Sequence, residues 1–435
     1  MGAMPNDAAA LLAAIRDRDA VTAERLLETG AVADATDEDG NTALGLASAN
    51  ADTEMCELLL NSGADPNRRS RGGVTPVMLA ADVGAVGAWR ALRSRSPHLW
   101  LRDDLGRSVM DIARAWLGVD PVAELRRRLG ASDDDKVIVE RWPAPDEGVG
   151  WAEVIRVSTP SGRATIQTGH AAIMTELEEA HGIRVPYAEL TARGLAFDDP
   201  EHVGRWFPAM ALAARVDDET FALTAEMLTS SPDAGQRHFA AEILLMYALY
   251  NEDETALRLE GETVELLRRQ ALVEPDPAVL EQVIRGLGLH YKVHSIPEML
   301  LHAQHPGAGM RRAVAVALHQ LVQADHAEAI SALLDLVGDE NADVRRAAAT
   351  TLSDIDADNP TIRETLAGLL DDADAGVILE AARGLGLRGD LRADQPLMRA
   401  FLSIPPGEDR GLSRAYDVLR GWSSERFCDV RDSLN

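Results

Sequence analysis

Five side chains that could bind a metal ion lie close together in the stretch HYKVHSIPEMLLHAQH, which begins at His290. They are His290, His294, Glu298, His302 and His305. Histidines four residues apart project from one face of a helix, where two imidazoles can share a metal ion. Pro297 interrupts the stretch, however, and is expected to place the two histidine pairs on different helices. We therefore favour solvated histidines on the face of a repeat over a metal site, and we predict no cofactor.

Two glycine pairs raise a second possibility, a loop that binds phosphate. The stretches IRGLGLH, from Ile284, and ARGLGLR, from Ala382, share the same core 98 residues apart. A dinucleotide-binding loop needs its glycines directly after a strand and before a helix, with a third glycine three positions on. Both stretches instead follow helical patterns, so they are expected to lie at the end of a repeated helix. No order of Ser, His and Asp or of Cys and His suggests a nucleophile, and we predict no catalytic residues.

The charge and the cysteine content narrow the classes of partner and compartment. The chain of 435 residues has a formal net charge of -28, which disfavours nucleic acid because phosphates would be repelled. A protein with a basic surface is the partner that this charge favours.

Cys56 and Cys428, the two cysteines, lie at opposite ends of the chain, so a disulfide framework is not expected. The apolar run ILLMYALY, from Ile243, is too short to span a bilayer. We predict a cytoplasmic protein that binds no membrane.

A period of 33 residues governs the N-terminal part of the chain. The segments DGNTALGLAS, GGVTPVMLAA and LGRSVMDIAR begin at Asp39, Gly72 and Leu105 and align position by position. A Thr or Ser before each apolar run is a helix N-cap signal. Gly30 and Gly63 occupy positions where a helix is expected to end in a left-handed residue. The period therefore predicts stacked helix pairs joined by projecting loops, here called fingers.

These segments resemble ankyrin repeats. TPVMLAADVG, from Thr75, is close to the family's Thr-Pro-Leu-His-Leu-Ala-Ala motif, with Met78 in place of the histidine. The resemblance covers residues 5–131 and implies four repeats, of which the outer two are degenerate as terminal units usually are.

A second period, of 31 to 34 residues, begins after residue 200. Val279, Met310, Val344 and Val377 align, and small or apolar residues follow each of them at +7 and +8. This stripe is typical of a helix packed on its neighbours. The best-formed segment, DENADVRRAAATTLSDI from Asp339, resembles the short type of HEAT repeat. The resemblance implies an α-solenoid over residues 201–435.

Residues 132–200 fit neither period. KVIVERW, from Lys136, and AEVIRVSTPSGRATIQTG, from Ala152, alternate apolar and polar residues around the turn signal TPSG, and a helical pattern follows from Ala171. The sequence thus predicts a mainly α fold of two solenoids. An ankyrin-repeat domain (5–131) and a HEAT-like α-solenoid (201–435) are joined by a small α+β module (132–200) of β-hairpin and helix. For the module we favour a docking role over a function of its own.

The fingers of the first array differ in charge, which suggests a binding surface. The first is acidic (TDEDG, from Thr36), the second is basic (RRSRGG), and the third has Trp100 where Asp34 and Asn67 align. Trp and Arg are the residue types that anchor interfaces. The predicted partner-binding residues are Arg68, Arg69, Arg71, Trp100 and Arg102. The alternative is that Trp100 packs internally against the degenerate last repeat.

The second helices of the HEAT-like array supply a second candidate surface, on the concave face. Its predicted residues are Glu281, Arg285, Arg312, His319, Arg346, Glu380 and Arg383. Because acids such as Asp335 and Asp354 surround the arginines, we expect a ladder of intramolecular pairs. HEAT-type alkylpurine DNA glycosylases resemble this array in architecture. An enzyme acting in the groove on DNA, or through a metal, is therefore the alternative function.

The favoured function is non-enzymatic, a scaffold or adaptor that holds one or more protein partners. A sharper version is a bacterial immunity or antagonist protein whose acidic HEAT-like face masks the basic face of a toxin or nuclease. The resemblance supports this version, because ankyrin and HEAT units both recur in bacterial immunity proteins.

Overall fold

The structure is a computed structural model that describes residues 5–132, 135–144, 150–250, 254–355, 359–403, 416 and 418–434. The chain forms two compact units, Met1–Leu212 and Ala213–Asn435, here called the N-terminal and C-terminal units. In the described part of the chain, no helix is both long enough and apolar enough to cross a membrane. The division into three parts at residues 131 and 200 stays a prediction.

The N-terminal unit contains helix pairs, a sheet and three further helices. Its first eight helices are α1 (Pro5–Asp17), α2 (Ala20–Glu28), α3 (Ala43–Ala49), α4 (Thr53–Asn61), α5 (Pro76–Asp82), α6 (Val86–Arg93), α7 (Val109–Arg114) and α8 (Pro121–Arg128). The strands β1 (Ile138–Pro143), β2 (Glu153–Thr159) and β3 (Gly162–Gln167) follow and form an antiparallel sheet in the order β1-β2-β3. The unit ends with α9 (His170–Ala180), α10 (Tyr187–Gly194) and α11 (Val203–Ala213).

The predicted helix boundaries of the first array are confirmed. The Thr42 hydroxyl caps α3 by accepting a hydrogen bond from the Gly45 N–H at 3.0 Å. Ser108 caps α7 in a reciprocal capping box with Asp111. Gly30 has a φ of 104°, the left-handed conformation that a helix end favours. Thr75 occupies the N-cap of α5 without a side-chain cap bond, and Pro76 begins that helix instead.

The first array buries its apolar positions between two layers of helices. Helices α1, α3, α5 and α7 pack in succession in one layer, and α2, α4 and α6 pack in the other. Leu44, Val77 and Trp89 are completely or almost completely buried between them. Met78, which replaces the histidine of the family motif, is buried as well. The repeats therefore share one continuous core.

The sheet and α9 extend this stack. Helix α8 packs on β2 and β3, while α9 packs on α5, α6 and α7. Ile155, Val157 and Ile166 of the sheet are buried together with Leu125 of α8. Helix α9 thus packs on the first array, and the sheet packs on its last helix. The docking role of the module stays a prediction.

The C-terminal unit consists of helix pairs and short connecting turns. Its helices are α12 (Asp218–Ser230), α13 (Ala234–Met246), α14 (Glu254–Ala271), α15 (Pro277–Leu289), α16 (Ile296–Leu300), α17 (Ala308–Ala317), α18 (Ala327–Leu336), α19 (Ala342–Asp354), α20 (Pro360–Gly368), α21 (Ala375–Leu387), α22 (Asp394–Leu402) and α23 (Ser424–Asp432). The second helices α13, α15, α17, α19 and α21 pack on one another in succession. The aligned residues Val279, Met310, Val344 and Val377 are all buried. The fold class predicted from the sequence, two helical arrays with a small sheet, is confirmed.

The glycine pairs lie inside helices, in the last turns of α15 and α21, as predicted. A β-carbon at Gly288 would lie 2.8 Å from the Cβ of Ala317, at the end of α17. A β-carbon at Gly384 would lie 2.8 Å from the Cβ of Ser353, in α19. These glycines allow neighbouring second helices to approach closely. Their function is helix packing, not phosphate binding.

Candidate partner-binding surfaces

The fingers of the N-terminal unit are fixed to one another by hydrogen bonds. The Asp34 carboxylate accepts a bond from the Asp65 N–H at 2.9 Å, and the Asn67 side chain accepts one from the His98 N–H at 2.6 Å. In each case a residue of one finger holds the backbone that leads into the next finger. The three fingers therefore form an ordered row.

Trp100 occupies the position of these two acceptors in the last finger. An acceptor at this position would bind the N–H of Ser132. That N–H instead donates a hydrogen bond to the Asp135 carboxylate at 2.6 Å. The indole is therefore not needed to hold the next backbone segment, and 70% of its surface is exposed. It stacks on the His98 ring with the two centroids 4.4 Å apart. The alternative that Trp100 packs internally is wrong.

The finger surface, defined here as Arg68, Arg69, Arg71, Trp100 and Arg102, is exposed at every position. The Arg71 guanidinium lies 3.8 Å from Asp39, and both side chains are well solvated. Arg102 bends back to donate to the Gly106 carbonyl at 2.6 Å. Arg68 makes a long contact of 3.4 Å with the Thr36 hydroxyl. The Arg102 guanidinium also lies 3.4 Å from the Asp111 carboxylate. Because all of these side chains are solvated, the contacts neutralise only part of the positive charge of the surface.

The four arginines predicted for the concave face of the C-terminal unit lie in two registers. Counted from the aligned apolar residue of each second helix, Arg312 and Arg346 stand at +2, as does Glu281. Arg285 and Arg383 stand at +6. The four arginines therefore come from different turns of their helices.

The arginines of this face also differ in their contacts. Arg285 and Arg312 are exposed and have no ion pair within the described part of the chain. Arg346 pairs with Asp343 of its own helix, so this pair does not link repeats. Arg383 of α21 binds Asp354 of α19.

A small charged cluster forms at the end of this face. Asp354 also lies 3.6 Å from the His319 imidazole. The buried Glu380 lies 3.8 Å from the Arg383 guanidinium. Asp354 thus contacts His319 and Arg383, and Arg383 contacts Glu380 in turn. Glu281 instead lies over Gly309 on the neighbouring helix.

Comparisons with known families agree with this geometry. The family model described as ankyrin repeats (3 copies) matches residues 10–103. The model for HEAT repeats matches residues 264–353 and 330–415. The chain carries ankyrin repeats followed by HEAT repeats. Both kinds of repeat support a scaffold role in protein–protein interaction.

Two individual proteins show how far the similarity extends. The inactive serine/threonine-protein kinase TEX14 of Bos taurus is 34% identical over 110 residues, which are 25% of this chain and 7% of that protein. The chain therefore spans a small fraction of that relative's length. The X-ray structure of the Escherichia coli protein YibA has a TM-score of 0.41 and 21% identity, covering 57% of this chain and 92% of that chain.

The HEAT repeats do have a ladder of ion pairs, but at residues that the sequence analysis missed. Arg345, adjacent to the predicted Arg346, binds both carboxylate oxygens of Asp372 in the next repeat, at 2.7 and 2.8 Å. Arg311, adjacent to Arg312, binds Asp339 in the same way, at 2.6 and 2.9 Å. Hydrogen bonds from these arginines hold the pKa values of both carboxyl groups below their usual range.

A sequence signal for this ladder exists. Each accepting carboxylate stands two residues before the N-cap of its second helix and also accepts that N-cap's N–H. Examples are Asp339 with Asn341 and Asp372 with Asp374. Between α15 and α17 the ladder has no ion pair of this kind, because Leu280 stands at the position of the arginine and His305 at that of the carboxylate. His305 Nδ1 still accepts the N–H of Gly307, at 3.1 Å.

The other histidines of the group also have structural contacts, and the expectation that all are solvated is wrong. His290 is buried, with Nε2 2.9 Å from the Leu244 carbonyl oxygen, and burial lowers its pKa. His302 Nε2 lies 3.0 Å from the Ala271 carbonyl oxygen. Among the described residues, no group of three or more His, Cys, Asp or Glu side chains could hold a metal ion.

A second set of residues that the sequence did not reveal fixes α9 to the ankyrin repeats. The Arg128 guanidinium binds both carboxylate oxygens of Asp82, at 2.7 and 2.9 Å, and lies over the Trp116 ring. Trp116 donates to Asp82 at 3.1 Å and stacks on His170, the first residue of α9. Burial alone would raise the pKa of Asp82, but the bonds from Arg128 outweigh it and the pKa is lowered. Burial lowers the pKa of His170 to about 4, so this imidazole is neutral at pH 7.

Proposed function

We propose that the protein is a non-enzymatic scaffold that binds protein partners through its repeat surfaces. The observation that carries this proposal is Trp100, a large aromatic side chain that is exposed and yet held in place by His98. An exposed indole on a rigid row of fingers loses little conformational entropy when a partner covers it. Interfaces commonly use such a residue as an anchor.

The C-terminal unit, called the HEAT unit from here on because it carries the HEAT repeats, supports a second element of the proposal, a partner with a basic surface. Residues 213–435 contain 38 acidic and 21 basic side chains, a formal charge of -17. The ladder uses Asp339 and Asp372 internally, but Glu340 and Asp343 remain exposed. A negative surface of this kind speeds association with a basic protein and disfavours nucleic acid. An antagonist that masks the basic face of a toxin or nuclease is one form of this function.

A comparison of two variants in the full chain tests the anchor role. Trp100→Ala removes the exposed indole, and Val21→Ala removes an exposed apolar side chain of α2 that lies outside the finger surface. We expect a protein captured by the wild type to be captured equally by Val21→Ala and to be lost with Trp100→Ala. Equal capture by both variants would contradict the anchor role.

Duplex DNA is the probe that tests the competing enzyme function. A scaffold with this charge should bind a short duplex weakly at physiological salt. Tight binding by the wild type, with an affinity that falls steeply as salt rises, would instead support a HEAT-type enzyme that acts on DNA. A cytoplasmic location belongs to the same proposal and is consistent with Cys56 and Cys428, which form no disulfide in the described part of the chain.

A further inference from the structure

Part of the positive charge of the finger surface has no ion pair within the described residues. Elsewhere in the chain, arginines such as Arg311 and Arg345 are held in two-pronged bonds to carboxylates. Arg69, in contrast, has no polar side-chain contact within the described residues. In a chain with a net charge of -28, abundant acid is available to neutralise such a group. An arginine that stays unpaired there is suited to bind a negative charge on a partner.

The position of the charge relative to Trp100 is fixed by the repeat geometry. Arg69 and Arg102 hold equivalent positions, 33 residues apart, in adjacent fingers. Trp100 precedes Arg102 by two residues, and Leu105, at 77% exposure, lies farther along the same finger. The bond between Asn67 and the His98 backbone ties the two fingers together at the indole. Fingers two and three therefore both expose groups that a partner could contact, arginines on each finger and the apolar Trp100 and Leu105 on the third.

The first finger limits what can bind there. Its Glu38 and Asp39 are exposed, so a negatively charged chain would be repelled from that end of the row. Favourable contacts are restricted to the second and third fingers, where the arginines and Trp100 lie.

We propose that the finger surface binds an acidic protein segment that carries an apolar side chain, with the carboxylates on Arg68, Arg69 and Arg102 and the apolar group against Trp100. This inference rests on the proposed function, because it names the chemistry of the partner at the Trp100 surface. It also gives the two repeat arrays opposite preferences, acidic for the finger surface and basic for the HEAT unit. A bidentate arginine–carboxylate bond supplies direction as well as attraction.

Selection of a random peptide library displayed on phage, with the immobilised full chain as target, tests the proposal. Peptides are kept if they bind the wild type and fail to bind Trp100→Ala. We expect these peptides to be rich in Asp and Glu and to contain a Leu, Ile, Phe or Trp. A synthetic copy of one such peptide should lose about thirtyfold in affinity with Trp100→Ala. It should lose about tenfold with the double variant Arg68→Ala/Arg69→Ala.

The double variant Arg285→Ala/Arg312→Ala is the matched control, because it removes two exposed arginines without ion pairs from the HEAT unit. It should leave the affinity of the peptide unchanged. Selected peptides rich in Lys and Arg would overturn the proposed partner chemistry and leave the anchor role of Trp100 intact. A selection in which no peptide depends on Trp100 would overturn both this proposal and the anchor role. Equal losses from the two double variants would show a nonspecific charge effect and would also overturn the inference.

Discussion

Replacing Gly84 by alanine should disturb the packing of the sheet and α9 on the ankyrin repeats and so destabilise the N-terminal unit. Gly84 has a φ of 66°, and a β-carbon there would lie 2.6 Å from Cε1 of His170 and in severe contact with the carbonyl oxygen of Gln167. The left-handed conformation alone costs a non-glycine residue about 1–2 kcal/mol. Overpacking against a backbone atom that cannot rotate away adds about 1–3 kcal/mol. We therefore expect Gly84→Ala to destabilise the N-terminal unit by about 2–5 kcal/mol.

Gly118 provides the control, because it has a φ of 72° and a β-carbon there would have nothing within 4 Å. Gly118→Ala carries the conformational cost alone, about 1–2 kcal/mol. Urea unfolding followed by tryptophan fluorescence suits the comparison, since six of the seven tryptophans lie in residues 1–212. The difference between the two variants measures the contact of β3 and α9 with the turn after α5. Equal losses in the two variants would refute the docking described here.

Three further predictions concern the stability at low pH, the ladder of ion pairs between HEAT repeats and the effect of removing metal ions. Burial lowers the pKa of both His170 and His202 to about 4, so the folded state disfavours their protonation. The free energy of unfolding should therefore be highest above about pH 6.5 and decrease toward pH 4. At pH 5 the loss should be about 2 kcal/mol per histidine. A urea midpoint that does not fall between pH 7 and pH 5 would contradict this. Arg345→Ala should cost about 2 kcal/mol, because it leaves the half-buried Asp372 unpaired, whereas Arg346→Ala should stay within about 0.5 kcal/mol. Hydrogen exchange across residues 342–387 distinguishes them, and equal effects would be evidence against the assigned register. EDTA should leave the melting temperature unchanged, and a drop of several degrees that zinc reverses would show a metal site.

Local patterns in the sequence were sufficient to predict the two arrays. The N-caps at Thr42 and Ser108 and the left-handed glycines act within one turn of their own helix, so they can be recognised without the partner repeat. The glycine pairs were placed correctly at helix ends. Their physical reason, close contact such as that of Gly288 with Ala317, needed the neighbouring repeat.

Contacts between repeats were the part that the sequence could not supply. Arg345 and Arg346 are adjacent and chemically identical, and only the direction of each side chain shows that Arg345 reaches the next repeat. His290 looked like an exposed histidine because the Leu244 carbonyl that meets it lies 46 residues earlier in the chain. For Trp100, the aligned acceptors Asp34 and Asn67 were visible in the sequence. Their function of holding the next finger was not, so exposure could not be distinguished from internal packing.

The affinity and the stability of Trp100→Ala, measured side by side, decide whether the exposed indole anchors a partner. With a captured protein partner purified, isothermal titration should show a loss of about 2 kcal/mol or more, about thirtyfold in the dissociation constant. The melting temperature of the variant should equal that of the wild type, because the indole is solvated and buries little of its area in the fold. An unchanged affinity would contradict the account. A loss of about 3–5 kcal/mol in folding stability, the cost of removing a core tryptophan, would contradict it as well.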